Sequence, residues 1–202
     1  MKEVLCPHLW KREIDVTPTI AVTKRVKRGP DFKGGITDYQ KVENDVRRLL
    51  SDTGAAAVTT FIDYYGLPGD FPGMASRPPA SPIARAVHVE TEWASRVADK
   101  RFRPYLMIHE FEAMLFCKPE EIGTALYQPR VGRDLSEVRA SFSTPEEIND
   151  NPETAPSRRI IKCSPAYQKA VHGPMVAKRI GLQVIRKQCA HFGAWLDWLE
   201  GL

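Results

Sequence analysis

Three carboxylates stand where two apolar runs of this sequence end. Asp63 follows Val58-Thr59-Thr60-Phe61-Ile62, and Glu110 and Glu112 follow Tyr105-Leu106-Met107-Ile108, with His109 leading into them. Oxygen ligands grouped in this way suit Mg2+ or Mn2+, which bind through one or two protein carboxylates and fill the rest of their shell with water or substrate phosphate. In open parallel sheets ligands bind beyond the carboxyl ends of the strands. Adjacent strands would therefore bring Asp63 and Glu110 or Glu112 to one edge as a catalytic and metal-binding set. A regular helix points residues two apart about 200° away from each other, so Glu110 and Glu112 reach one cation only through an irregular turn. His109 and Glu112, three apart, would share a face. Plainer roles are open to each residue: Asp63 as a turn cap, His109 as a packing residue on the sheet, and Glu112 as an acid favoured by a helix N-terminus.

Elements must hold these residues in place. The chain has 202 residues, 43% of them hydrophobic and 27% charged, which fits one domain with a sizeable core. Residues 55–62 and 105–108 have the composition of buried strands. Between them Gly66, Pro68, Gly69, Pro72 and Gly73 describe a shaped loop. Residues 77–82 form a proline-rich connection, and residues 83–99 a helix with Ile83, Val87, Trp93 and Val97 on its apolar face. Upstream, residues 4–10 read as the end of a helix into which Pro7 fits poorly, and residues 16–23 as a strand that Pro18 confines to an edge. A helix capped by Thr37 or Asp38 runs to about Asp52, completing a strand-helix-strand unit that favours parallel pairing. Downstream, residues 113–116 enter a helix, and further helices are expected at 119–126, 134–140, from Pro145, at 174–180 and at 189–199. The last carries Phe192, Trp195, Leu196 and Leu199 as an apolar stripe that reads as core. Residues 149–157 form a long polar loop, of a length that in a compact chain usually serves function.

The formal charge of +4 permits contact with nucleic acid without demanding it. Lys24, Arg25, Lys27, Arg28 and Lys33 form one basic cluster, Arg101 and Arg103 flank Phe102, and Arg158, Arg159 and Lys162 form a third group. Such groups can grip phosphates, yet a charge run is more often a solvated face. Cys6, Cys117, Cys163 and Cys189 include no CxxC pair and read as buried thiols in a reducing compartment. Cys6-Pro7-His8 and Cys189-Ala190-His191 are both Cys-x-His, a spacing unlike that of usual zinc sites, and ordinary core cysteines are the stronger expectation. No apolar run approaches the roughly 20 residues that cross a bilayer, and residues 1–10 lack the core of a signal peptide. The expected location is the cytoplasm, away from membrane.

The stretches FIDYYGLPGDFPG, PYLMIHEFEAMLF and INDNPETAPSRRI, in that order, resemble the bacterial domain-of-unknown-function family 4276, with a likeness running from about His8 to the C-terminus. Members look like Toprim-type proteins, the fold of topoisomerases, primases and overcoming-lysogenisation-defect nucleases. They are similar to phage-defence components that work beside an ABC-type ATPase. The resemblance implies an α/β fold over residues 1–202 as a single domain, a compact and mostly parallel sheet flanked by helices, with extra C-terminal helices. It implies a nuclease or phosphoryl-transfer protein using Mg2+ or Mn2+, with Asp63 as the metal-binding acid of a central strand, Glu110 and Glu112 as further acids, and Asp70 as a lesser one. Glu153 and Arg158 would come to the same edge, and His109, Arg159 and Lys33 would join them in facing substrate.

Relatives open with a strand ending in a Val-Glu-Gly-x-Thr-Glu type motif, followed by the helix that leads into Pro7-His8-Leu9. Here Met1 lies inside that helix, so the first strand and its glutamate are absent, and Glu3 does not take that acid's place. The expectation is either a start assigned downstream of the true one or a shortened homologue, with apolar edges to be covered by a partner or a second copy. The alternative to a nuclease is then a non-catalytic subunit that binds nucleic acid or an ABC-type ATPase.

Overall fold

Leu5 and Leu9, one turn apart, are buried on α1 (Lys2–Trp10), which continues through Pro7. The computed structural model describes residues 2–20, 36, 38–148 and 153–202. Within them residues 16–20, expected to begin a strand, pair with no strand, and the rest of that expected strand lies outside the described residues. The Asp38 side chain accepts the Gln40 N–H and starts α2 (Tyr39–Leu50), whose Tyr39, Val42, Val46 and Leu50 are buried. Thr37, the other expected cap, lies outside the described residues.

The apolar run after α2 folds as two short strands, β1 (Val58–Thr59) and β2 (Ile62–Asp63), where one was expected from Ala55. They are joined by α3 (Pro82–Val97) to their parallel partners. β1 pairs with β3 (Phe102–Arg103) and β2 with β4 (Leu106–Met107), with Asp63 opposite Met107. The break between the ladders has a local cause. Pro104 offers no N–H, and Thr60 enters the gap, its hydroxyl donating to the Tyr105 carbonyl and accepting the Tyr105 N–H, both at 3.0 Å.

The chain divides into two compact units, one of Met1–Pro18 with Ile108–Leu202 and the other of Thr19–Met107. The second unit holds the parallel strands with α2 and α3. Its core is a run of edge-to-face aromatic contacts, Tyr39 on Phe71, Phe71 on Trp93 and Trp93 on Phe102, with centroids 5.0, 4.7 and 5.2 Å apart. Phe71 thus pins the glycine-proline loop after Asp63 into the core. At Gly73, φ is 78° and an added Cβ would stand 2.9 Å from Glu92 Cβ, so only glycine fits there. The apolar face of α3 is Ala86, Val89, Trp93 and Val97. Val87, expected on that face, is 42% exposed, because the 3.6-residue repeat centred on Trp93 passes it by. Arg101, read from sequence as either a phosphate grip or part of a solvated face, is structural instead. Its guanidinium donates to the Leu50 carbonyl at 2.6 Å and the Asp52 carbonyl at 2.9 Å, satisfying the end of α2.

The described part of the first unit is helical. After β4 come a 3-10 helix (Phe111–Cys117), α4 (Pro119–Ala125), α5 (Pro129–Ala140), a short 3-10 turn (Pro145–Glu147), α6 (Pro156–Cys163), α7 (Lys169–Ile180), α8 (Leu182–Gln188) and α9 (Ala190–Glu200). The extra C-terminal helices are present, and Phe192, Trp195, Leu196 and Leu199 are buried as expected. Prolines at the first positions of α4, α5 and α6 set φ for the helix without losing a bond. α7 instead starts five residues before the expected Pro174 and carries that proline inside. Cys117 and Cys189 are buried with their sulfurs 3.5 Å apart, whereas Cys6 and Cys163 are partly exposed. His8 is 2.6 Å from Glu200, which also accepts from Arg186. With those partners taken, the two Cys-x-His pairs form no zinc site among the described residues.

Candidate active site

Beyond β4 the chain turns sharply. His109 is buried at φ 70°, in the left-handed region that a non-glycine residue enters only under constraint. Glu110 is then extended, at φ −140° and ψ 157°, before the 3-10 helix begins at Phe111. This is the irregular turn that the spacing of the two glutamates required. The Lys169 ammonium lies 3.0 Å from Glu110 Oε1 and 3.7 Å from Glu112 Oε2, so both carboxyl groups face one cation.

Glu110 is the fixed member of the pair. Ala155, at the N-cap of α6, has no polar side chain to receive the helix's first N–H groups. Glu110 supplies that acceptor from elsewhere in the chain: Oε2 accepts the Ser157 N–H and Oε1 the Ser157 hydroxyl, both at 3.1 Å. Burial pushes the Glu110 carboxyl up, but the two Ser157 hydrogen bonds and Lys169 outweigh it and hold the group below the usual carboxylate range. Glu112, 3% exposed, moves the other way. Burial raises its pKa, Lys169 opposes this in part, and the neighbouring Glu110 charge raises it further.

The remaining walls come from the start of α7. Lys169 is its first residue, an unfavourable place for a cation beside a helix dipole, and the two glutamates offset that. The Tyr167 hydroxyl is 3.5 Å from Glu112 Oε1, and burial, then Glu112, push the phenol far up, leaving a neutral O–H donor. Its ring stacks on His172 at 5.8 Å, and His172 Nδ1 accepts the Gln168 N–H at 2.9 Å, which places the proton of a neutral imidazole on Nε2. One ionised carboxylate, one carboxyl biased towards its protonated form, a phenol and an ammonium are thus gathered in one place. Carboxyl groups driven apart in pKa are the arrangement from which acid and base roles are drawn.

Of the residues singled out by sequence, Glu110, Glu112 and His109 lie on this turn. Asp63 closes β2, exposed, in the other unit, and Asp70 is exposed in the loop that Phe71 pins. Arg158 is exposed on α6 and Glu153 is exposed just before it, while Arg159 donates from Nε to the Thr154 carbonyl at 2.7 Å. Lys33 and the cluster around it lie outside the described residues. Ser157, Tyr167 and Lys169 were missed. Gly173, Val176, Ala177 and Ile180 keep helical spacing across Pro174 and were the available sign that the helix begins before that proline.

Among the described residues no three His, Cys, Asp or Glu side chains are grouped to hold a metal. The pair at Glu110 and Glu112 is nonetheless of the kind and number that Mg2+ uses when water and phosphate complete its shell. A positive charge already stands between the two, carried on a Lys169 side chain that is 47% exposed. The family model described as Domain of unknown function (DUF4276) matches residues 1–200. No curated relative and no solved structure matches the chain.

Proposed function

The chain belongs to the DUF4276 family, and from that premise we propose that it is a Toprim-type phosphodiesterase of nucleic acid, assisted by Mg2+ or Mn2+ and acting in phage defence. The observation that carries this reading is the Glu110 and Glu112 pair, which shares one cation while leaning to opposite protonation states. Glu112 is the proton donor to the leaving oxygen, and Glu110, ionised, is the cation-facing base. Glu110, ionised, would hold the divalent ion, with Lys169 swinging into water to yield the position, and Glu112 would ligate it only once its proton has passed to the leaving oxygen. A bound ion supplies charge neutralisation at the phosphate and a more acidic water. The Tyr167 hydroxyl orients the Glu112 carboxyl.

The test is cleavage of plasmid, single-stranded DNA and RNA with Mg2+ or Mn2+. Glu112→Gln keeps the shape of the side chain and leaves Glu110 on Ser157, so it reads chemistry rather than folding. It is expected to slow cleavage by about 100-fold or more with no loss in the thermal midpoint, and equal rates for the two proteins would reject the assignment. Asp63→Ala in the same assay decides whether that carboxylate belongs to the reacting set.

A second reading is favoured by one observation: both Glu110 oxygens already have partners within the fold, as a purely structural cap would. The protein would then be a non-catalytic subunit binding nucleic acid or an ABC-type ATPase. Binding of labelled DNA without cleavage under either ion selects it.

A further inference from the structure

α5 and α6 border a groove of about 720 Å³ lined by Arg130, Val131, Asp134, Arg159, Lys162 and Cys163. We propose that this groove is a phosphate track that holds the backbone of a single nucleic-acid strand, an inference that rests on the nucleic-acid reading above. Charge is the first argument. Three cations and one carboxylate line it, and Asp134 lies 3.8 Å from Arg130, which leaves Arg159 and Lys162 uncompensated among the described residues.

Preorganisation is the second argument. The Arg159 guanidinium sits 5.5 Å over the Phe142 ring and is tethered by its Nε to Thr154. Its terminal NH2 groups have no hydrogen-bond partner among the described residues. A guanidinium fixed in a concave wall and left with two NH2 groups is suited to phosphate oxygens, with little ordering cost left at binding. Arg130 and Lys162 are exposed while Arg159 lies deeper, so positive charge extends from the floor to the rim, as successive backbone phosphates require and a single enclosed phosphate does not. One eight-residue helix serves both places: α6 presents Ser157 to Glu110 and, further along, Arg159 and Lys162 to the groove.

The experiment measures binding of a labelled single-stranded oligonucleotide in EDTA, so that no cleavage intervenes, between about 50 and 200 mM salt. Arg159→Gln with Lys162→Gln is expected to weaken binding about tenfold and to reduce the slope of log affinity against log salt by about 0.7 for each phosphate that is no longer neutralised. Lys162→Gln alone, at an exposed position, keeps the test valid if removal of the Arg159 guanidinium loosens Phe142. Cys163 gives a second readout on the native protein: saturating oligonucleotide is expected to slow its alkylation by iodoacetamide several-fold while leaving Cys6 unchanged. Unaltered salt slopes with unprotected Cys163 overturn the groove. So does full competition by inorganic phosphate or a mononucleotide, which would mark a site for a small phosphorylated ligand. A wild type that cleaves through Glu112 without Cys163 protection removes the groove and leaves the catalytic reading. Cys163 protection in a wild type that never cleaves does the reverse.

Discussion

Glu110→Gln is expected to lower stability by about 2–3 kcal/mol at neutral pH, because it replaces charge-assisted acceptors of the Ser157 N–H and hydroxyl with a neutral amide and uncaps α6. The Lys169 contact adds little to this figure, since its side chain is 47% exposed and water screens the pair. The pH dependence carries a sign. The folded pKa of Glu110 lies below its ordinary value, so its contribution is fully present above that value and is lost as pH falls through the lowered one. Glu112 is opposite: its folded pKa is raised, so its contribution is present below the ordinary value and is lost as pH rises through the raised one. Urea unfolding across pH should therefore show the gap between wild type and Glu110→Gln closing in acid. The Glu112→Gln variant should gain on wild type as pH rises. A gap that ignores pH in both variants would show that these carboxyl groups ionise as they do in the unfolded chain.

Gly123→Ala is expected to cost about 3 kcal/mol, against the gain of up to about 1 kcal/mol that alanine brings to an exposed helix position. α4 and α5 approach so closely that a Cβ on Gly123 would stand 2.7 Å from the Gly132 nitrogen and 2.9 Å from the Gln128 carbonyl oxygen. These are backbone atoms, so no side chain can rotate away and the helix pair must separate. Separation would also move α5, one wall of the phosphate groove. Gly69→Ala is the matched control, with no atom within 4 Å of the added Cβ and an expected change under about 0.5 kcal/mol. Urea midpoints of the two variants measure the difference, and equal midpoints would mean that the close approach of α4 and α5 does not constrain the fold.

The acids of the candidate site were legible in the sequence because a strand end is marked by composition: four apolar residues, then His109, Glu110 and Glu112. Their cation was not. Lys169 sits on the far side of Pro174, a residue that ordinarily ends a helical reading, and only packing in the folded unit carries α7 through it. The same holds for Ser157. Its place in a polar, proline-flanked stretch reads as loop, and the helix it opens is capped by a glutamate distant in sequence, which no local pattern announces. The parallel pairing of the strands and the C-terminal helices were readable, yet the single strand expected at residues 55–62 is two, because Pro104 on the opposite side removes a donor. Arg101 shows the converse error. A basic residue beside an aromatic could grip a phosphate or lie in solvent, and two carbonyls at the end of α2 and the Asp99 carboxylate claim it instead.

The proposed chemistry depends on two neighbouring glutamates of the same chain ionising on opposite sides of the ordinary value. A titration of 13C-labelled glutamate side chains by NMR, with Glu110→Gln and Glu112→Gln supplying the assignments, reads this directly. The Glu110 carboxyl is expected to change shift below the ordinary glutamate range and the Glu112 carboxyl above it, with each midpoint moving when Lys169 is replaced by methionine. Two carboxyl groups titrating together at the ordinary value, indifferent to Lys169, would contradict it.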